Sequence, residues 1–115
     1  MPITTCMPEP KRILLVDDDR SYLDTCRTLL IKKGYSVREL SDPIRILEIA
    51  GDFRPDLIFI GPNLLRFRGT YAVQMLKGHD LLRKIPVIFS ADHLTKPIDG
   101  GQMIRVIGKF TSDAG

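Results

Sequence analysis

The chain has 115 residues, enough for one domain with a real core. Apolar residues at 43% and charged residues at 27% fit a globular protein, and a net charge of +3 permits an acidic partner without demanding one. No apolar run approaches a membrane span and no secretory h-region is visible, so a cytoplasmic protein without membrane contact is expected. Cys6 and Cys26 lack metal or redox spacing and are expected as free thiols.

Residues 1–11 hold three prolines and no periodic pattern, and read as a flexible leader. Arg12 to Val16 is a short apolar strand that runs into Asp17-Asp18-Asp19. The helix after it sets Tyr22, Leu23, Cys26, Leu29 and Leu30 on one face. Asp19 or Ser21 caps its start, and Lys32, Lys33 and Gly34 suit its end. Tyr35 to Leu40 is a second strand. Ser41 or Asp42 then caps a helix with Pro43 in its first turn and Ile44, Leu47 and Ala50 as its core stripe.

Residues 56–60 form the central strand, a continuous apolar run of the kind buried in parallel sheets, closed by Gly61-Pro62. A loop containing Pro62 and Gly69 leads to a helix carrying Ala72, Val73 and Leu76. Ile85 to Ser90 is another strand. A last helix spans about Gln102 to Phe110, with Met103, Ile104, Ile107 and Phe110 inward. Strict alternation of strand and helix means a parallel sheet with helices on both faces. Right-handed crossovers bring the strands' carboxyl ends to one edge, so Asp17-Asp18, Gly61 and Ser90 should converge.

Leu14-Leu15-Val16-Asp17-Asp18-Asp19 resembles the first strand and acidic pair of response-regulator receiver domains, the phosphoacceptor modules of two-component signalling. Gly34-Tyr35-Ser36-Val37, Arg54-Pro55-Asp56-Leu57-Ile58, Ile85-Pro86-Val87-Ile88 and Leu94-Thr95-Lys96-Pro97-Ile98-Asp99 continue the likeness over roughly residues 12–110. Each motif is weak alone; the order and spacing make the set specific. The resemblance implies a flavodoxin-like, doubly wound sheet. It makes Asp17 and Asp18 the metal-binding pair, Ser90 the switch hydroxyl and Lys96 the phosphate-pairing lysine.

Gly61 then stands where the family carries its acceptor aspartate, and glycine supplies no nucleophile. Asp56 begins the strand at the opposite edge and is no substitute. The next loop departs too, with Leu65, Arg68 and Gly69. Arg66, Arg68 or Lys96 is expected to neutralise Asp17 and Asp18 in place of Mg²⁺; solvated loop arginines are the alternative. No metal or other cofactor is expected, with weak Mg²⁺ binding at Asp17 and Asp18 left open.

A second departure is a deletion. Only Ala91 to Thr95 separate Ser90 from Lys96, whereas a parallel crossover needs about a dozen residues. Extended, the six residue steps from Ser90 to Lys96 reach only about 20 Å. The family's fourth helix is therefore expected to be absent, and its fifth strand lost or rearranged. The strand edge so exposed invites a protein partner or a second copy of the chain; coverage by the last helix is the alternative.

The expected organisation is a leader at 1–11, a receiver-like domain at 12–110 and a tail at 111–115, with the short tail suiting a stand-alone module. The expected function is a pseudo-receiver, not an enzyme, that signals by phosphorylation-independent protein contact near residues 90–110. One alternative is an active receiver using Asp17, Asp18 or Asp19. Another is a small basic nucleic-acid-binding regulator, which is not favoured: Arg66-Phe67-Arg68 is too short a motif. His79 and His93 have no ligand spacing, and Ser90 has no triad partners.

Overall fold

A computed structural model describes residues 10–61, 66–89 and 105–109, with the side chains of Arg66 and Phe67 outside the description. The elements are β1 (Arg12–Val16), α1 (Arg20–Lys32), β2 (Ser36–Leu40), α2 (Ile46–Phe53), β3 (Leu57–Ile60), α3 (Arg66–Lys77) and β4 (Val87–Phe89). Residues 105–109 are helical. The strands form one parallel sheet in the order β2-β1-β3-β4.

Alternation along the strands splits the core between the two faces. Leu14, Val16, Ile58 and Ile60 pack with Ile46, Ile49 and Ala50 of α2 and with Ala72 and Leu76 of α3. Ile13, Leu15, Leu57 and Phe59 pack instead with Leu23, Cys26 and Leu30 of α1 and with Ile107. Because β3 is buried on both faces, all four of its residues are apolar. Each such side chain contributes roughly 1.5–3 kcal/mol of burial. The doubly wound architecture anticipated from the alternating pattern is the one observed.

Two readings are corrected. Pro43–Arg45 form a 3₁₀ turn capped by Asp42, and α2 starts only at Ile46. The tighter turn shifts the helical phase, so Ile44 points outward at 69% exposure while Ile46 and Ile49 take the core. Arg66 and Arg68 also lie on the first turn of α3, not in a loop. Gly69, expected in that same loop, likewise sits inside this helix, where Phe89 comes close.

The leader's last residue is tied to the sheet, since the Lys11 carbonyl accepts from Ser36 N–H at 2.9 Å. Residues 1–9 of the leader, the tail at 111–115, and the expected loss of the fourth helix and fifth strand within 90–104 lie outside the described residues. No helix among the described residues is long and apolar enough to cross a membrane.

Candidate functional site

Register brings the carboxyl ends of three strands together. Val16 pairs with Leu40 on one side and with Ile60 on the other. The next residues continue the ladder: Asp17 N–H donates to the Leu40 carbonyl at 3.1 Å, and Gly61 N–H donates to the Val16 carbonyl at 2.8 Å. Asp17 and Gly61 are thereby set side by side.

Asp17 is 0% exposed, the one buried charged residue among those described. Its Oδ1 accepts from Asp19 N–H at 2.8 Å. Its carboxylate lies against the place a side chain at position 61 would occupy. A β-carbon there would be 2.8 Å from Asp17 Cγ, closer still to Asp17 Oδ2, and 3.0 Å from the Tyr22 ring. Such separations lie far inside van der Waals contact, so Asp17 and Tyr22 close the site over the bare backbone of Gly61.

Tyr22 stands where it does because Asp19 caps α1. The Asp19 Oδ1 accepts from Ser21 N–H at 2.9 Å and from Tyr22 N–H at 3.2 Å. The phenol oxygen is buried with no hydrogen-bond partner among the described residues. Burial, and then the adjacent Cys26 thiol, push the phenol well above its ordinary value. Burial likewise pushes the Cys26 thiol up to about 11, although the Tyr22 hydroxyl opposes the rise.

Asp18 turns the other way, to the surface. Arg68 Nη1 donates to Asp18 Oδ1 at 2.7 Å, and Arg68 Nη2 lies 3.5 Å from Asp42 Oδ1. One guanidinium on α3 thus links the end of β1 to the turn after β2. Asp42 Oδ1 also accepts from Ile44 N–H at 3.1 Å. Beside this link, Pro43, Ile44, Arg68 and Tyr71 line a shallow, largely apolar groove.

The receiver-domain model of the response regulators matches residues 13–105. The chain belongs to the response-regulator receiver family. Among curated relatives, this receiver is 28% identical over 122 residues to the polar-differentiation response regulator DivK of Brucella anthropi, with 91% of this chain and 99% of DivK covered. It is 29% identical over 99 residues to RcaC of Microchaete diplosiphon and 32% identical over 93 residues to the response regulator MprA of a Mycobacterium species. Those two alignments take in 86% and 79% of this chain but only 15% and 40% of the relatives' own length.

Solved structures share the receiver's fold. Chemotaxis response regulator CheY4 of Vibrio cholerae superposes with a TM-score of 0.76 at 19% identity, over 88% of this chain and 98% of that one. The receiver domain of the sensor histidine kinase PA1611 of Pseudomonas aeruginosa gives 0.74 at 21%, over 88% and 97%, and holds a magnesium ion in its active-site cleft.

The described side chains of the present receiver do not fit such an ion. Asp17 is turned inward onto Asp19 N–H and Gly61, Asp18 is held by Arg68, and position 61 offers no side chain. Among the described residues no group of three or more His, Cys, Asp or Glu could hold a metal.

Of the residues singled out in the sequence, Asp17, Asp18, Gly61 and Arg68 share this edge of the receiver. Ser90, Lys96, His93, Cys6 and the Arg66 side chain lie outside the described residues. His79 sits away from the edge, where its Nδ1 accepts from Leu81 N–H at 3.3 Å. Two contributors were missed. Sequence spacing gives Tyr22 only as a core-face residue, and Asp42 only as one of two candidate caps. The available signal for Tyr22 was an aromatic in the first turn after the acidic run.

Proposed function

We propose that this chain is a pseudo-receiver: a signalling module that works by constitutive protein–protein contact, without phosphoryl transfer and without Mg²⁺. The observation that carries the reading is Gly61. A receiver's phosphoryl group needs a carboxylate nucleophile at the end of the central strand. Here that position has no side chain, and the space beside it is filled by Asp17 and Tyr22.

Arg68 supports the same reading. Its guanidinium supplies, at Asp18 and Asp42, the positive charge that a divalent ion would bring to an acidic cleft. The two carboxylates are compensated at all times, not only when an ion is present. Ile44 and Tyr71, exposed on either side of the Arg68 groove, add apolar area of the kind that protein partners cover. The partner is a protein, with a second copy of the chain as one candidate; the region 90–110 remains part of the proposed surface.

The test is direct. The purified protein is incubated with Mg²⁺ and a small-molecule phosphodonor, and its intact mass is read. No added phosphate is expected. A stoichiometric, hydroxylamine-labile phosphate would sink the reading and point to a relocated acceptor among Asp17, Asp18 and Asp19. Sedimentation of the same sample separates a self-associating module from one that waits for another protein.

A further inference from the structure

The acceptor position of this receiver is closed as well as empty. Asp17 projects into the volume that a side chain at 61 would fill, with its Cγ 2.8 Å from the β-carbon that Gly61 lacks. It is fully buried there and anchored by Asp19 N–H. The Tyr22 ring also bounds this volume, at 3.0 Å. Asp18, the other acid of the pair, is held by Arg68 outside this niche. No element of this arrangement is a flexible surface tip. Asp17 is pinned by backbone hydrogen bonding on β1, and Tyr22 by the cap of α1.

We infer that Asp17 acts as an internal plug, so that a carboxylate restored at position 61 would not rebuild a phosphoacceptor site. The inference rests on the pseudo-receiver reading and goes one step beyond it. The loss of the acceptor is locked in by a neighbour that has taken over its space. A single reverting substitution would meet a steric and electrostatic conflict: two carboxylates would compete for one buried niche.

A double-mutant cycle tests the plug directly. Gly61→Ala should lower Tm by about 5–15 °C, the cost of overpacking a closed site in a domain of this size. In an Asp17→Ala background the same change should move Tm by no more than about 2 °C, because the obstructing carboxylate is gone. In an Asp17→Asn background the penalty should persist, since the amide keeps the bulk. A Gly61→Ala variant as stable as the native chain, or a penalty indifferent to residue 17, overturns the inference.

The second arm uses Gly61→Asp with Mg²⁺ and the phosphodonor. No phosphate by intact mass is expected. Stoichiometric phosphate on this variant overturns the plug at any Tm. Phosphate on the native chain would instead overturn the pseudo-receiver reading, so the two failures are distinguishable. Should Gly61→Asp not fold, the alanine cycle still decides.

Discussion

Arg68 Nη1 lies 2.7 Å from Asp18 Oδ1, and the two side chains are 32% and 35% exposed. That is too buried for full solvent screening and too open for a core ion pair. The second reach of the guanidinium, 3.5 Å to Asp42, is longer and weaker. Arg68→Ala should therefore cost about 0.5–1.5 kcal/mol in urea denaturation at low salt. The cost should shrink at about 1 M salt, where the Debye length falls to about 3 Å. Arg68→Lys should recover only part of it, because an ammonium is a point charge and cannot present a planar fork to both carboxylates. Equal stability of all three proteins would show that the link adds nothing to the fold.

Asp19 has a double part. Its carboxylate caps α1 through Ser21 and Tyr22, and its own N–H donates to Asp17. Removing the cap by Asp19→Ala should cost about 1 kcal/mol, while Asp19→Asn should cost only a few tenths. Because the cap sets the first turn that carries Tyr22, the alanine variant should also speed amide exchange at residues 21 and 22. Unchanged exchange there would separate the cap from the site.

How much of this was legible in the chain depended on the kind of signal. Short polar side chains before periodic apolar runs mark Asp19 or Ser21, and Ser41 or Asp42, as caps; Asp19 and Asp42 are the ones that cap. The central strand stood out because a buried parallel strand tolerates no polar residue. Ile44 misled, because the 3₁₀ turn at Pro43–Arg45 advances the chain at three residues per turn and no spacing rule announces it. Spacing alone sets Arg68 near the acids but on a loop, whereas it lies on α3. Gly69 looked like punctuation when its lack of a side chain serves close packing against Phe89. Contacts across the sheet edge, such as Tyr22 over Gly61, join residues far apart in the chain. They follow from register and rotamers, which a single sequence does not spell out.

The buried pair of Tyr22 and Cys26 predicts alkaline lability. The Cys26 thiol is pushed up to about 11 in the fold, against an ordinary 9.0. Below pH 9 both folded and unfolded chains hold the proton, and the contribution is fully present. Between pH 9 and 11 the unfolded chain releases it first, so stability falls across that window. The loss from Cys26 amounts to roughly 2–3 kcal/mol, and Tyr22 acts in the same direction. Urea midpoints taken from pH 8 to 11 check this, with Cys26→Ala expected to flatten much of the decline. In a Cys6→Ser background, Cys26 should also react slowly with a thiol reagent at pH 8 until denaturant is added. A fast native reaction would contradict its burial.

Gly51 and Gly69 occupy two helices and should respond oppositely to the same substitution. Nothing lies within 4 Å of a β-carbon placed at Gly51 on α2, and the position is exposed. Gly51→Ala should therefore stabilise by about 0.5–1 kcal/mol through helix propensity and a less free unfolded chain. At Gly69 the same β-carbon would stand 2.5 Å from the Phe89 ring edge and 3.5 Å from Ile60 Cγ2. Phe89 is half-buried at the end of β4, and its ring would have to shift to admit that β-carbon. Gly69→Ala should destabilise by about 1–3 kcal/mol despite the gain in propensity. Pairing it with Phe89→Leu, which withdraws the ring, should remove most of that penalty. Thermal melts of the four proteins decide the matter. A stabilising Gly69→Ala would mean that Phe89 moves aside freely, and that glycine in α3 is not required by the packing of β4.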